Sequence, residues 1–178
     1  MLALEKRAAS SHELVTQTSL LLVDLDHFKT FNDLYGYDAG DDLLTRVAEQ
    51  LRVALRKREV FGRLGGDEFV VMIPDSNLEE ASARAEEFRA GVKNLRFEDP
   101  DWAMTVTIGV ATAPAQRAWE AQQLLELAGR RLIVGKKRLR QPRDRVWAGQ
   151  LPSGWLSSDK RLEGLQAWPA TNEQPDYL

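Results

Sequence analysis

The sequence contains no cysteine and only two histidines, His12 and His27, among its 178 residues. Without cysteine the protein has no disulfide, thiolate zinc site, iron–sulfur cluster or cysteine nucleophile, which suits the reducing cytoplasm where we expect it to act. Two histidines are also too few for a histidine-rich metal centre. Any chemical site in this chain must therefore be built from carboxylates, lysine, arginine or backbone groups.

Neither a strong excess of charge nor a long apolar segment is present. The 24 Lys and Arg residues nearly balance the 27 Asp and Glu residues, giving a formal net charge of -3, so we do not expect nucleic acid to bind through bulk charge. No apolar run approaches the roughly 20 residues that span a bilayer. Charged residues at positions 5–7 stand where a signal peptide is apolar, and we expect no membrane segment in this chain.

The hydrophobic residues, 43% of the chain, are sufficient for one domain with a core and follow the periods of strands and helices. This mixture is typical of an α/β or α+β domain, with helices flanking a central mixed or antiparallel sheet. The strand at 104–111 alternates in polarity, which predicts one half-buried face. The predicted strands cover residues 19–25, 59–64, 69–73, 104–111 and 143–147, and the predicted helices cover 27–35, 38–56, 78–94 and 119–138, after a short helix in the first dozen residues.

The composition changes near Ala148, so we divide the chain into a domain at residues 1–147 and a C-terminal tail at 148–178 of unknown role. Three prolines and frequent serine in the tail are typical of a loose terminal segment. Its apolar residues, among them Trp155 and Trp168, instead favour docking on the domain or on a regulatory protein partner. Both interpretations stay open at the level of sequence.

Two acidic residues, Asp24 and Asp26, come at the end of the first predicted strand, and Lys29 follows at the start of a helix. In open α/β sheets this edge is where ligands bind. Carboxylates that hold a hard cation, beside helix N–H groups and a lysine that bind phosphate, would form a metal–nucleotide site. The simpler alternative is that Asp24 or Asp26 caps the helix.

Gly65 and Gly66 lie at the reversal of the predicted hairpin, directly before Asp67 and Glu68. Glycine permits the positive φ angles of such a turn, but the turn does not require two adjacent acids, whose charges repel each other. Sheet pairing could bring Asp67 beside Asp24, and a bound Mg²⁺ would then neutralise the acids. The alternative is an exposed acidic turn.

The run Gly65-Gly66-Asp67-Glu68-Phe69 is the full signature of the GGDEF-type diguanylate cyclases, and residues 1–147 resemble that family. The resemblance implies a palm-like nucleotidyl cyclase fold in which the hairpin carries the GGDEF turn. Further blocks occur in the order and spacing of the family: Asp24 to Lys29, Asn32-Asp33, Tyr35-Gly36, Gly40-Asp41 and Val106 to Ala111. The resemblance therefore does not rest on the pentapeptide alone.

The resemblance implies that the protein joins two GTP molecules into cyclic di-GMP and releases two pyrophosphates, using Mg²⁺ or Mn²⁺. Carried over by position, Asp24, Asp67 and the Leu25 carbonyl hold the metal, while Glu68 assists the metal or deprotonates the attacking 3′-hydroxyl. Each domain resembles a half-site for one GTP, so we expect two copies to face each other in a two-fold homodimer. Relative to the longer helix with which the family opens, we expect the N-terminal helix of this chain to be truncated, and without a dimerising module we expect slow turnover.

The resemblance also implies which residues recognise the base. Asn32 and Asp41 are expected to bind guanine, because an amide and a carboxylate match its edge of donors and acceptors. Tyr37 lines this end of the site at a position where the family usually has histidine.

The phosphates are implied to lie against Lys29 and the backbone N–H groups of His27 and Phe28. Lys136 and Arg140, near the end of the last predicted helix, match the lysine and arginine with which the family grips phosphate. An alternative for this basic segment is a solvated helix end, which the helix dipole favours.

Many members of the family carry an inhibitory product site, Arg-x-x-Asp, a few residues before the signature. Arg56 matches its arginine, but Glu59 replaces the aspartate, and the extra methylene moves the carboxylate. We therefore predict weak or absent product inhibition at this degenerate site.

The second candidate function is a catalytically weak or inactive domain that binds GTP or cyclic di-GMP and signals through protein contact. It is favoured by Tyr37, by Gly129 where the family has aspartate, and by the tryptophan-bearing tail. The intact signature and both metal-binding acids favour the cyclase.

Overall fold

The computed structural model describes residues 17–97, 102–113, 121–137 and 144–148. The predicted N-terminal helix, Arg140 and the tail beyond Ala148 lie outside these ranges. All contacts and exposures given below concern the described residues.

The described elements follow the predicted order of strands and helices. The strands are β1 (Thr18–Leu25), β2 (Val60–Gly65), β3 (Glu68–Pro74), β4 (Val106–Thr112) and β5 (Arg145–Trp147), and the helices are α1 (Phe28–Tyr35), α2 (Tyr37–Val53), α3 (Leu78–Lys93) and α4 (Ala121–Lys137). The strands form one sheet in the order β2-β3-β1-β4-β5. β1 pairs antiparallel with β3 and β4, β2 pairs antiparallel with β3, and β5 runs parallel to β4. The predicted mixed sheet flanked by helices is therefore confirmed. None of the described helices is long and apolar enough to cross a membrane.

β1 lies at the centre of the sheet and is buried on both faces, which explains its unbroken apolar run. Leu21 and Val23 pack in a core with residues of α2 and α3. Leu20 and Leu22 pack on the opposite face in a second core with residues of α4. Because helices cover both faces of the sheet, a site for a polar ligand has to lie where the strands end.

β4 is buried more completely than its alternating sequence predicts. The prediction of one half-buried face is wrong, because Val106 to Ala111 are all buried. The hydroxyl of Thr107 donates a hydrogen bond to Asp26 inside the protein (2.8 Å). Gly109 lies directly under α4, where a Cβ would come within 2.6 Å of the Leu132 nitrogen. The polar and small residues of β4 therefore mark internal contacts and not a solvent face.

α2 ends at Val53, and not near residue 56 as the apolar period predicts. Half-buried Leu55 continues that period, but the following residues form a turn. The Glu59 N–H donates to the Arg56 carbonyl (3.1 Å), and the Arg56 N–H donates to Glu59 Oε2 (2.8 Å). This turn leads the chain into β2.

Candidate functional site

The end of β1 and the turn of the β2–β3 hairpin meet at one edge of the sheet. The antiparallel register places Asp24 directly opposite Glu68. The Leu25 N–H donates to the carbonyl of Asp67 (3.3 Å). Pairing thus brings both acids of the hairpin to the end of β1, with Glu68, and not Asp67, as the cross-strand partner of Asp24.

The loop between β2 and β3 is shorter than predicted and consists of Gly66 and Asp67. Gly65 and Gly66 have φ angles of 146° and 56°, in the region that favours glycine. Arg63 closes the turn by donating from Nε (3.0 Å) and Nη2 (2.7 Å) to the Gly66 carbonyl. These contacts fix the position from which Asp67 and Glu68 lead into β3.

The carboxylate of Asp24 is buried among other charges. Only 7% of the residue is exposed, and Lys136 of α4 donates a hydrogen bond to Oδ1. Burial raises the pKa of Asp24 from 3.8 to about 7; the Lys136 ammonium opposes this rise, and the charges of Asp67 and Glu68 add to it. Burial, followed by the charge of Asp67, also raises the pKa of Glu68. The carboxylates therefore share one ammonium group and still repel one another.

A divalent cation fits this arrangement. The carboxylates of Asp24, Asp67 and Glu68 and the carbonyl of Leu25 offer hard oxygen donors of the kind that Mg²⁺ binds. Burial, together with mutual repulsion, raises the pKa values of Asp24 and Glu68, and a cation between the carboxylates would offset both effects. Among the described residues no three acidic or histidine side chains already enclose one point. Mg²⁺ is commonly held by one or two carboxylates together with substrate phosphates and water, so such a closed cluster is not required.

The turn after β1 presents the start of α1 next to these acids. His27 precedes α1 with a φ of 60°, and its side chain makes no capping hydrogen bond. N–H groups in the first turn of a helix have no partners within the helix and attract anions. Phe28 begins that turn, and Lys29 is exposed on it. The structure thus groups His27, Phe28 and Lys29, the predicted phosphate-binding residues, at one helix N-terminus.

The predicted guanine-binding residues lie on both sides of the tight connection at Gly36, whose φ is 87°. Asn32 on α1 packs against Gly40 on α2, the neighbour of Asp41. The Oδ1 atom of Asn32 is buried and has no hydrogen-bond partner among the described residues. Asp41 and Tyr37 are exposed, Tyr37 by 78%. The structure therefore places the Asn32 amide against the residue that precedes Asp41 and leaves one buried acceptor unsatisfied.

Of the two residues predicted to grip phosphate from the last helix, Lys136 reaches the site. Its side chain is 15% exposed and is paired with Asp24, so it is not part of a solvated helix end. Arg140 lies outside the described residues, and its role stays a prediction.

The structural role of Asp26 was missed by the sequence reasoning. The residue is 1% exposed, and its carboxylate accepts hydrogen bonds from Thr105 Oγ1 (2.9 Å), Thr107 Oγ1 (2.8 Å) and the Asp144 N–H (2.8 Å). These bonds tie the end of β1 to β4 and to the residue before β5. The available signal was the pair Thr105 and Thr107, two hydroxyl residues spaced by two in an apolar segment.

The residues predicted for a degenerate inhibitory site, Arg56 and Glu59, are both engaged within the protein. Glu59 accepts two hydrogen bonds from Arg84 (2.8 and 2.9 Å), and Arg84, 4% exposed, also donates to the Ala54 carbonyl. Arg56 donates to Glu87 (2.9 and 3.0 Å). Burial alone would raise the pKa of Glu59, but the hydrogen bonds from Arg84 and from the Arg56 N–H lower this pKa below its usual value. Arg84 and Glu87 are partners that the sequence did not reveal.

Comparisons with known proteins agree with this geometry. The family model described as diguanylate cyclase, GGDEF domain, matches residues 2–142. The probable diguanylate cyclase DgcC of Escherichia coli strain K12 is 34% identical over 120 residues, which are 67% of this chain and 32% of DgcC. The chain thus spans about a third of the length of the curated relatives it matches.

Solved structures extend the likeness to the fold. The GGDEF domain of PA1120 (YfiN or TpbB) from Pseudomonas aeruginosa matches with a TM-score of 0.72 and 31% identity, covering 84% of this chain and 92% of that one. The GGDEF domain of DgcB from Caulobacter crescentus, solved in complex with c-di-GMP, matches with a TM-score of 0.70 and 28% identity, covering 82% and 85%. The predicted cyclase fold is thereby confirmed. The chain belongs to the GGDEF-domain family of diguanylate cyclases.

Proposed function

We propose that this domain is an active diguanylate cyclase that joins two GTP molecules into cyclic di-GMP and releases two pyrophosphates, with Mg²⁺ or Mn²⁺ bound. The observation that carries the proposal is the meeting of Asp24 with Asp67 and Glu68 beside the N-terminus of α1. Carboxylates that can bind a divalent cation thus lie next to backbone N–H groups that can bind phosphate, and phosphoryl transfer requires both. The relatives named diguanylate cyclases, and the c-di-GMP bound to the DgcB domain, support the same chemistry.

In this mechanism Asp24, Asp67 and the Leu25 carbonyl would hold the metal, which when bound would supply positive charge to the phosphates. Lys29 and the first-turn N–H groups of α1 orient the phosphates. Lys136, which lies at Asp24, supplies a further positive charge at the same point. The chain's own residues therefore position the triphosphate and balance the charge that develops on it.

Each new bond forms when the 3′-hydroxyl oxygen of one GTP attacks the α-phosphorus of the other, and the bond from that phosphorus to pyrophosphate breaks. The hydroxyl proton passes to the carboxylate of Glu68, which strand pairing places opposite Asp24 at the end of β1. Asn32 and Asp41 hold the guanine base. Because the ring needs two such steps, two copies face each other as a two-fold dimer, each with one GTP.

The test incubates the purified protein with GTP and Mg²⁺ and measures cyclic di-GMP over a range of protein concentrations. We expect product, with a rate per protein molecule that rises with concentration as dimers form. Asp67→Ala should abolish it, whereas Glu49→Ala, which alters an exposed acid on α2, should leave it unchanged. GTP binding without product at any concentration would support the non-catalytic binding function, and product from Asp67→Ala would refute the metal assignment.

We also propose that the protein acts in the cytoplasm, where GTP is available, and that residues 148–178 contact the domain or a regulatory protein. The apolar residues of this tail support the proposal. Limited proteolysis of the full chain tests this proposal. A docked tail should be cleaved more slowly than a free one, and removal of residues 148–178 should change the rate of cyclic di-GMP synthesis.

A further inference from the structure

Gly40 of α2 packs against the side chain of Asn32 of α1 at the proposed guanine site. It is buried in the first turns of α2, and its N–H donates to the Gly36 carbonyl (3.2 Å). A Cβ on residue 40 would overlap Asn32 Oδ1 and would lie 2.9 Å from Asn32 Cγ. The Asn32 amide therefore fills the space that a side chain at position 40 would take.

The same amide carries an unsatisfied acceptor. Asn32 Oδ1 is buried and has no hydrogen-bond partner among the described residues. A buried acceptor without a donor is unfavourable, and a hydrogen-bond donor on a ligand that reaches the amide would satisfy it. The next residue after Gly40 is the exposed acid Asp41.

We infer that Gly40 is a positioning residue for base recognition: its missing side chain sets the Asn32 amide where Oδ1 accepts from the N1–H or amino group of a purine. Guanine and hypoxanthine carry a donor at N1, whereas adenine carries an acceptor there and would face Oδ1 with like polarity. The inference rests on the proposed binding of GTP. It adds Gly40 as the residue that positions the Asn32 amide.

The matched control for Gly40→Ala is Gly91→Ala. Gly91 also lies inside a helix, α3, and a Cβ there would come within 2.8 Å of Gln50 Nε2, again the end of a flexible amide side chain. Both substitutions exchange a helical glycine for alanine, which favours the helix to a similar extent in each case. They differ in whether the displaced amide lies at the proposed guanine site.

The experiment measures equilibrium binding of a GTP analogue with a fluorescent group on the ribose, competition by unlabelled GTP, ITP and ATP, and the melting temperature. We expect Gly40→Ala to weaken GTP binding about tenfold and to narrow its preference over ATP, whereas Gly91→Ala stays within about twofold of the wild type. Both variants should melt within a few degrees of the wild type. In an assay of turnover, KM should rise more than kcat falls.

A double-mutant cycle shows whether Gly40 acts through Asn32. In an Asn32→Ala background the added Gly40→Ala substitution should have no further effect on GTP binding. A tenfold loss that persists in this background, or Gly40→Ala binding like the wild type, would overturn the inference while leaving the proposed function intact. If the wild-type chain itself fails to bind GTP, the proposed function fails, and the inference falls with it.

Discussion

Asp24 is a residue at which stability and function are expected to oppose each other. Its pKa is raised from 3.8 to about 7 in the folded chain, so the folded state binds this proton more tightly than the unfolded state does. The resulting stability is fully present below about pH 4 and is lost as the pH rises through about 7. At neutral pH a bound cation would offset the repulsion that ionisation creates.

We predict that Asp24→Asn raises the melting temperature of the metal-free protein at pH 8 while it abolishes cyclic di-GMP synthesis. The amide keeps the shape of the side chain and removes the buried charge, whose cost is about 1.4 kcal/mol per unit of pKa shift and at most about 4–5 kcal/mol in all. Thermal unfolding in EDTA from pH 4 to 8 measures the difference, which should vanish at the acid end. The exposed Asp42→Asn is the control, and a variant less stable than the wild type at pH 8 would contradict the prediction.

At the scale of secondary-structure elements, Asp26 and Asp144 join three strands and a helix behind the candidate site. The Asp144 N–H donates to Asp26 (2.8 Å), and the Asp144 carboxylate pairs with Arg89 (2.6 Å) and Lys93 (2.5 Å) of α3. The end of β1, which carries Asp24, is thereby anchored to β4, β5 and α3.

We predict that Asp26→Ala destabilises the protein by about 3 kcal/mol or more. The substitution leaves the hydroxyls of Thr105 and Thr107 and a backbone N–H without their acceptor, and hydrogen bonds to a charged group contribute about 1.5–3 kcal/mol each. Urea unfolding measures the loss, with the exposed Asp33→Ala as control. Asp26→Asn, which keeps part of the acceptor capacity, should lose less. A loss below about 1 kcal/mol for Asp26→Ala would show that these bonds do not hold the strands together.

The order and type of the elements were predictable because apolar periods reflect burial. Contacts between residues distant in sequence were not predictable. These contacts determine where the helices and strands end and how completely β4 is buried. Glu59 and Arg84, 25 residues apart, hold the turn where α2 was predicted to continue. Asp26 and Thr107, 81 residues apart, draw a polar side chain into β4. In the site, Asp24, Asp67 and Glu68 were proposed from the sequence because a glycine turn does not require adjacent acids and the motifs resemble a known family, whereas the exact cross-strand register required the pairing itself.

At the scale of the whole molecule, both residues of the predicted inhibitory pair form ion pairs with residues of α3: the pair of Arg56 is exposed to solvent, whereas the pair of Glu59 is buried. Arg56 faces the carboxylate of Glu87, and Glu59 is held by Arg84. We predict that added cyclic di-GMP does not lower the initial rate of synthesis appreciably. Arg56→Ala should change neither this rate nor the affinity for cyclic di-GMP. Glu87→Gln should strengthen cyclic di-GMP binding, because it removes a negative charge that opposes the phosphates. Calorimetric titration measures these affinities, and tight binding by the wild type that Arg56→Ala abolishes would prove the prediction wrong.

The proposed dimer makes a prediction about intermediates when intact and disabled copies are mixed. In a mixed dimer of the wild type with Asp67→Ala, the intact half-site can form one phosphodiester bond, but the disabled half-site cannot form the second. Adding excess Asp67→Ala to a fixed amount of wild type should therefore lower cyclic di-GMP and accumulate the linear dinucleotide with its 5′-triphosphate. Chromatography of the guanosine products measures both species. Excess Glu49→Ala, which keeps its site acids, should instead raise cyclic di-GMP by supplying competent partners. If a large excess of Asp67→Ala leaves the rate of cyclic di-GMP synthesis unchanged, the mixed dimers do not interrupt the reaction. The two phosphodiester bonds then would not require two intact half-sites.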